Sequence, residues 1–214
     1  HRVKAWDARV RKLFSDLGMF ELLGINEAKA TSFDGPELVL LRLMSGTKNE
    51  GEKIAALLEG LRSLGVIFDR KSYIFDGLCE AVSNCIDHAY SQADPTDAIV
   101  PRVGLRWWAT SCYDATTDSL RFFVFDQGVG ISATLVSQKE WLPLIANMLK
   151  EMLAAVGLKK PDCDIISAAF EVGRTRTDRN ERGKGLDQMA SVVRQVGSGS
   201  IRVLSGRGDV RIDA

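Results

Sequence analysis

The chain has 214 residues, of which 45% are apolar and 26% are charged, as in ordinary globular domains. Its 28 basic and 28 acidic residues cancel, so the composition offers no basic excess for non-specific binding to nucleic acid or to a membrane surface. The length is sufficient for one large domain with its own buried core.

The four cysteines form no Cys-x-x-Cys pair and the chain has only two histidines, so we do not predict a zinc site. Reduced thiols in a cytoplasmic protein are the simplest interpretation. No apolar run is long enough for a membrane span, and no signal-peptide pattern opens the chain. Because residue 1 is His rather than Met, we expect this chain to be a segment of a longer protein.

Hydrophobic spacing predicts the elements of the first half of the chain. Apolar residues recur at helical spacing over residues 3 to 23, which predicts one helix. The short apolar run over residues 38 to 44 predicts a strand. Two further helices are expected over residues 52 to 64 and from about residue 71 to the turn at 92 to 97.

The second half of the chain predicts two hairpins and three helices. Trp107 and Trp108 would point to opposite faces of the first of these strands, so we expect one in the core and one at a surface or interface. The predicted strands are residues 102 to 113, 120 to 125, 200 to 204 and 210 to 212, and the predicted helices are residues 139 to 156, 162 to 170 and 186 to 196.

The helix that begins near residue 71 separates polar from apolar side chains at its turn of about 100° per residue. One face carries two carboxylates, an amide and an imidazole: Glu80, Asn84, Asp87 and His88. The opposite face is apolar: Leu78, Val82, Cys85, Ile86 and Ala89. A polar helix face is most often simply solvated, so this pattern alone leaves the function open.

Asp126 lies where an apolar strand gives way to the turn Asp-Gln-Gly-Val-Gly-Ile, residues 126 to 131. Its carboxylate would sit at a strand end near the floor of a pocket, where it can accept a hydrogen bond from an exocyclic amine. Gly128 and Gly130 remove side chains where the backbone bends and allow a flat ring to approach closely. The alternative is an Asp-Gly turn that binds no ligand.

Residues 182 to 186, Arg-Gly-Lys-Gly-Leu, come directly before a predicted helix. The two glycines leave backbone N–H groups bare at a positive helix end, which attracts phosphate oxygens, and Lys184 adds a charge. The alternative is a flexible basic loop. The stretch is not the usual P-loop, because Gly185 follows Lys184 where Ser or Thr is required. No Gly-x-Gly-x-x-Gly stretch follows a strand, which argues against a Rossmann site.

The order of these stretches along the chain strengthens the functional interpretation of each one. A helix with Glu-x-x-x-Asn, a strand with Asp-x-Gly-x-Gly-Ile, a long insert and Gly-x-Gly-Leu before a helix together resemble the GHKL ATPases. This superfamily is named for gyrase, heat-shock chaperone, histidine kinase and mismatch-repair protein, and the resemblance covers residues 38 to 212. Residues 80 to 90 look most like the N-box of bacterial anti-sigma-factor serine kinases and stand-alone ATP-binding proteins. The resemblance implies an α/β sandwich of the Bergerat type, with a mixed, largely antiparallel sheet, helices on one face and a long ATP lid.

The resemblance also implies a role for each motif residue. Asn84 would coordinate Mg²⁺ that bridges the ATP phosphates, and Glu80 would be the general base towards water or an acceptor hydroxyl. Asp126 would bind the adenine amine. The other residues implied to line the base or to hold the phosphates are Asp87, His88, Gly128, Gly130, Ile131, Arg182, Gly183, Lys184, Gly185 and Leu186. His88 could equally be a histidine at the edge of the core that hydrogen-bonds to the backbone.

The resemblance divides the chain at about residue 36. We expect residues 1 to 36 to be a helical extension or linker and residues 37 to 214 to be the ATP-binding domain, with its lid at about 132 to 182. The Gly-Thr pair of the family's terminal strand does not occur before Ala214, so we expect that strand to be missing from this chain. No separate histidine-bearing dimerisation helix is visible, which argues against a complete sensor histidine kinase.

These features predict a domain that binds Mg-ATP and hydrolyses it or passes its γ-phosphate to a protein serine or threonine, in bacterial signalling or regulation. The alternative is a non-catalytic switch, in which ATP orders the lid and creates a surface for a protein partner or a homodimer. A third possibility is an α/β domain that binds no nucleotide. Neither nucleic acid nor a membrane is indicated as a partner.

Overall fold

The computed structural model combines helices with antiparallel strand pairs, as predicted for an α/β protein. Within the residues that it describes, no helix is long and apolar enough to cross a membrane. The described residues are 5–25, 38–63, 65–68, 70–90, 105–137, 161–175 and 185–214, together with 143, 146, 147 and 150.

The elements are numbered in chain order over the described residues. The helices are α1 (Ala8–Asp16), α2 (Met19–Leu22), α3 (Gly51–Ser63), α4 (Lys71–Asp87), α5 (Ile131–Ser137), α6 (Pro161–Thr175) and α7 (Gly185–Val196). The strands are β1 (Leu38–Leu40), β2 (Met44–Gly46), β3 (Trp107–Asp114), β4 (Ser119–Asp126), β5 (Ser200–Ser205) and β6 (Gly208–Asp213).

The chain forms two compact units. The first unit consists of His1–Gly46, Glu50–Phe68 and Trp108–Phe125. The second unit consists of Thr47–Asn49, Asp69–Trp107 and Asp126–Ala214. All the motif residues belong to the second unit, because β4 leaves the first unit just before Asp126.

The first unit is organised around β3, which pairs with β1, β2 and β4. The pairing with β1 is antiparallel, with Leu38 opposite Asp114 and Leu40 opposite Cys112. The helix α3 has the bounds expected from its spacing to within one residue at each end. Its apolar stripe explains this agreement, because four of its side chains have no exposed surface: Ile54, Leu57, Leu58 and Leu61.

The prediction that only one of Trp107 and Trp108 is buried is wrong. Their exposed fractions are 1% and 8%. The Trp107 indole N–H donates to the Lys48 carbonyl oxygen at 2.8 Å. The Trp108 ring stacks on Phe125 with 5.4 Å between ring centroids. Because β3 pairs with β1, β2 and β4 and its residues from Trp107 to Cys112 are all buried, the alternation of a half-buried strand does not apply to it.

The single helix predicted over residues 3 to 23 is wrong over its described part, since α1 and α2 are separate helices. Gly18 lies between them with φ of +73°, a left-handed conformation that cannot continue a helix. The strand predicted over residues 38 to 44 is likewise two strands, β1 and β2. Between these strands, the Leu43 N–H donates to the Leu17 carbonyl oxygen at 3.0 Å.

In the second unit, α4 and α7 pack against each other as antiparallel helices. A Cβ atom at Gly77 on α4 would lie 2.4 Å from Val192 Cγ2 on α7, so the absent side chain permits the close approach. The Arg70 guanidinium, directly before α4, donates to the Gln195 carbonyl oxygen near the end of α7. These two contacts run in opposite chain directions and therefore define the antiparallel register.

The helix α6 packs on α7 and on the antiparallel hairpin of β5 and β6. Ile166 and Phe170 from α6 and Ala190 from α7 form a buried apolar cluster. The helix predicted over residues 162 to 170 is confirmed, and it is longer than predicted, from Pro161 to Thr175. It falls within the interval of about 132 to 182 that the sequence analysis assigned to the lid. The predicted helix over residues 139 to 156 lies largely outside the described residues.

Candidate functional site

The helix α4 divides into the two faces that its sequence predicts. Its buried positions, with the residue just beyond its end, are Leu78, Val82, Cys85 and Ala89. Its half-buried polar positions are Glu80 and Asn84, and Asp87 and His88 are exposed. The exposure of His88 does not favour a histidine at the edge of the core. The polar face of α4 is therefore accessible at its carboxyl end and partly enclosed one turn earlier.

Glu80 is chemically distinct on this face. Burial raises the pKa of its carboxyl group, the charge of Asp87 raises it further, and the charge of His88 lowers it. These electrostatic effects agree with the placement of the three side chains on one helix face. A carboxylate with a raised pKa accepts a proton more readily, which is a property of a general base.

Asn84 lies one turn after Glu80 and has a buried side-chain nitrogen, Nδ2, without a hydrogen-bond partner. A buried polar group without a partner costs about 1–3 kcal/mol, so most such groups in folded proteins are paired. A ligand that contacts Asn84 would remove this cost. Rotation of the amide by half a turn exchanges its nitrogen and oxygen, so the same position can offer a hard oxygen ligand to a metal ion.

The turn that begins at Asp126 packs against the end of α4. Asp126 Oδ1 accepts a hydrogen bond from the Gly128 N–H at 2.8 Å, and the Val129 N–H donates to the Ala89 carbonyl oxygen at 2.8 Å. A Cβ atom at Gly128 would lie 2.1 Å from that same oxygen. Glycine at position 128 is therefore required by the close contact of two backbone segments.

The second half of the turn is held by hydrogen bonds to Ser205 and Thr134. Gly130 has φ of +87°, which favours glycine. The next N–H, of Ile131, donates to Ser205 Oγ at 2.7 Å, in the last residue of β5. The buried Thr134 hydroxyl lies 3.0 Å from the Gly130 carbonyl oxygen and 3.3 Å from that of His88. The turn is thus fixed to α4 on one side and to the β5–β6 hairpin on the other.

Two residues that the sequence analysis did not assign to the site also hold this turn. The Tyr90 hydroxyl accepts the Gln127 N–H at 3.0 Å and donates to the Arg106 carbonyl oxygen at 2.7 Å. Burial, the charge of Asp126 and a hydrogen bond with Asp126 raise the pKa of the Cys85 thiol. The Cys85 thiol therefore stays protonated and donates to the Asp126 carboxylate.

The sequence analysis missed these contacts for reasons that differ between the residues. Tyr90 stands at the end of the polar helix, where an amphipathic tyrosine that needs a partner for its hydroxyl is a usable signal. Cys85 belongs to the apolar face by residue type, so its contact with Asp126 could not be inferred from periodicity. Ser205 lies 74 residues from Ile131, and no local pattern links the two.

The glycine-lysine stretch is described only from Gly185, the first residue of α7; Arg182, Gly183 and Lys184 lie outside the described residues. Asn84 lies seven residues after Gly77 on α4, and Gly185 lies seven residues before Val192 on α7. At about 1.5 Å per residue, both lie about 10 Å along their helices from the Gly77 contact. Because the helices are antiparallel, the start of α7 lies towards the Asn84 end of α4.

The last residues of the two glycine-containing stretches pack against the same apolar cluster. Ile131, which ends the Asp126 turn, and Leu186, which follows Gly185, both pack on the cluster of Ile166, Phe170 and Ala190. The described parts of the three stretches therefore belong to neighbouring elements of the second unit. The Asp126 turn contacts the end of α4, α7 lies along α4, and a shared apolar cluster joins the turn to α7.

Comparison with known proteins provides no further assignment. No family model, curated protein sequence or solved structure matches this chain. The fold class is mixed α/β with antiparallel strand pairs. The function of the site has to be argued from its own residues.

Proposed function

We propose that this chain is a GHKL-type domain with a Bergerat fold that binds Mg-ATP and hydrolyses it or transfers its γ-phosphate to a protein serine or threonine. The observation that carries this proposal is that Asn84 of α4, the Asp126 turn and the start of α7 lie in one compact unit, although their stretches begin 46 residues or more apart in sequence. The antiparallel packing of α4 and α7 directs the start of α7 towards the Asn84 end of α4, which suits a ligand that contacts both.

Each end of the nucleotide has a suitable group in this arrangement. The Asp126 carboxylate at the end of β4 suits the adenine amine, in a turn where Gly128, Gly130 and Ile131 leave the backbone close to a flat ring. Backbone N–H groups at the start of a helix suit phosphate oxygens, and α7 starts at Gly185 and Leu186. Arg182, Gly183 and Lys184 precede that helix start and would add positive charge beside the phosphates.

Mg²⁺ fits the residues of this site. The buried, unpartnered amide of Asn84 gains a partner when it turns its oxygen towards a metal ion, and Mg²⁺ bound there would neutralise phosphate charge. Glu80, one turn away, has the raised pKa expected of a group that takes a proton from water or from a serine or threonine hydroxyl. Asp87 and His88 would line the outer edge of the same face.

A second candidate is the non-catalytic ATP-gated switch, and one observation favours it. Ile131 and Leu186 pack on the same apolar cluster as α6, so a ligand that contacts either stretch also acts on the packing of α6 and the β5–β6 hairpin. In that case ATP binding would change a surface for a partner or a second copy without requiring turnover.

The first test is thermal unfolding with and without Mg-ATP. For the native chain we expect stabilisation of about 2.7 kcal/mol at a hundredfold excess of ATP over Kd. Asn84→Ala should lose this stabilisation, whereas Asn49→Ala should keep it, because the Asn49 amide donates to Ser83 Oγ outside the proposed site. A native chain that does not respond to millimolar Mg-ATP would contradict the proposal.

A second test separates the enzyme from the switch. With Glu80→Gln, an ATPase or kinase should lose phosphate release or phosphotransfer and keep its ATP affinity. A switch should show no turnover in the native chain, and its ATP-dependent assembly should survive the substitution. Analytical ultracentrifugation with and without ATP distinguishes the two outcomes.

A further inference from the structure

The second unit contains a cavity of about 200 Å³ that the proposed function does not use. Its walls are formed by the end of α4, by Tyr90 beyond it, and by the start of β3. Cys85 and Ile86 line it from α4, and the buried Trp107 lines it from β3. Leu105, Arg106 and Thr47 also line it, and each of these is exposed.

The cavity lies on a different side of α4 from the proposed nucleotide site. At about 100° per residue, Cys85 and Ile86 point about 100° and 200° away from Asn84 around the helix axis. Glu80 and His88 both lie within about 40° of Asn84 on the same projection. Cys85 also contacts Asp126, so the cavity adjoins the proposed adenine end of the nucleotide site while lying on another side of α4.

The polar atoms around the cavity are largely engaged by the protein itself. The Trp107 indole N–H donates to the Lys48 carbonyl oxygen at 2.8 Å. The Tyr90 hydroxyl makes hydrogen bonds with both Gln127 and Arg106, and the Cys85 thiol donates to Asp126. Because Trp107 is only 1% exposed, the surface left for a ligand is mainly that of the half-buried Tyr90 ring and of Ile86.

The size and lining together define a class of ligand. An apolar cavity of about 150 Å³ is sufficient to bind benzene, so about 200 Å³ accommodates one or two fused rings. Ligand sites are typically concave and mainly apolar, with a few polar groups near the rim. Here the exposed rim carries the Thr47 hydroxyl and the Arg106 guanidinium.

We propose that this cavity is a second ligand site, for a small, mainly apolar molecule of one or two rings, on the side of α4 opposite the polar face. Contact with the Tyr90 ring and burial against Ile86 and Leu105 would provide the affinity. None of the residues that line this cavity is one of those assigned to ATP.

Indole is a suitable probe, and its binding to the full chain can be measured by thermal unfolding and by calorimetric titration. We expect one indole per chain, with a rise in Tm that saturates. Ile86→Phe should lower the indole affinity at least tenfold, because the added ring atoms occupy the cavity. Ile67→Phe is the matched control and should leave the affinity unchanged, since the Ile67 side chain is 94% exposed in the first unit.

A second variant covers the case in which Ile86→Phe does not fold. Thr47→Phe introduces a ring at the exposed rim, where the fold tolerates it, and should also reduce the affinity for indole. The proposal is overturned if indole does not bind the native chain at millimolar concentration, or if affinity persists in the variants that fold.

Mg-ATP separates this proposal from the proposed function. Saturating Mg-ATP should leave the indole site available, and competition between the two ligands would overturn the second site. Indole binding without ATP binding would retain the cavity site and contradict the proposed function. ATP binding without indole binding would contradict the cavity site and retain the proposed function.

Discussion

The turn from Asp126 to Ile131 and the polar face of α4 lie in the same unit but are built in different ways. In the turn, the N–H groups of Gln127, Gly128, Val129 and Ile131 all have partners within the protein. On the polar face, the buried Asn84 Nδ2 has no partner and burial raises the pKa of Glu80. The turn is stabilised by hydrogen bonds within the protein, whereas the polar face of α4 contains a buried unpaired group that destabilises the folded chain.

This difference shows which motif residues point to a ligand. Gly128 and Gly130 are explained by a close backbone contact and by a left-handed conformation, so they would be required in a protein that binds nothing. Asn84 has no such explanation, because a buried amide without a partner destabilises the folded state. An unpaired polar atom is thus a stronger sign of a binding site than a glycine pattern.

The largest effect is expected from Gly128→Ala. The new Cβ atom would meet the Ala89 carbonyl oxygen at 2.1 Å, and the backbone cannot move without losing the hydrogen bond from Val129. We expect a loss of about 2–4 kcal/mol in the free energy of unfolding, measured by denaturant titration.

Gly60→Ala on α3 is the control for Gly128→Ala. There the nearest atom is the flexible Leu41 Cδ1 at 3.2 Å, and alanine favours the helix, so the free energy of unfolding should change little. A loss below about 1 kcal/mol for Gly128→Ala would mean that the turn is not fixed as described.

The next effect is that of Tyr90→Phe. This variant removes the acceptor of the Gln127 N–H and the donor to the Arg106 carbonyl oxygen, and we expect it to cost about 1–2 kcal/mol. Tyr113→Phe, whose hydroxyl donates to Asp118 Oδ1 at an exposed site, should cost less than about 0.5 kcal/mol. Equal losses from the two variants would show that the Tyr90 hydroxyl has no special part in the turn.

A smaller effect of opposite sign is expected at Asn84. Without nucleotide, Asn84→Ala should stabilise the chain by about 0.5–1 kcal/mol, since it removes the unpaired amide and alanine favours the interior of a helix. Asn49→Ala should instead destabilise it, because the Asn49 amide donates to Ser83 Oγ at 2.7 Å. If both variants destabilise equally, the polar face of α4 is no different from an ordinary surface.

The smallest effect concerns pH. Because the pKa of Glu80 is higher in the folded than in the unfolded chain, its contribution to stability is complete below its unfolded pKa and is lost as the pH rises through the folded value. Glu80→Gln should therefore raise Tm at pH 7 relative to the native chain, and this gain should disappear as the pH falls below about 4.5.

Glu52→Gln is a control for the loss of a carboxylate. Glu52 lies in the first turn of α3, where a negative charge interacts favourably with the helix dipole. Its substitution should lower Tm slightly at pH 7, opposite in sign to Glu80→Gln. A Glu80→Gln variant that is less stable than the native chain at pH 7 would refute the assigned environment of Glu80.

The sequence predicted the elements that carry a continuous apolar stripe. The bounds of α3 and the start of α4 follow from their spacing, and the two faces of α4 divide as expected. Gly18 was missed as a break because the apolar spacing continues through it. Trp107 and Trp108 were misjudged because the burial of both side chains depends on other segments of the chain, such as those of Lys48 and Phe125.

The sequence predicted those features of the site that depend on spacing within one helix. It could not predict those that depend on contacts between distant segments. Glu80 and Asn84 share a face because they are four residues apart on one helix. The contacts of Gly128 with Ala89 and of Ile131 with Ser205 join segments brought together only by the fold. A sequence pattern indicates that a glycine is needed, but the neighbour that requires it is visible only in three dimensions.

Gly77 has a consequence that extends beyond its own contact with Val192. A straight helix transmits a displacement along its whole length, so the distance between α4 and α7 at Gly77 also sets the spacing between Asn84 and the start of α7. Gly77 would thus determine the width of the proposed phosphate site from about 10 Å away, without touching a ligand. For protein engineering, a larger side chain at position 77 is a single change that can widen this site without replacing any residue that forms it.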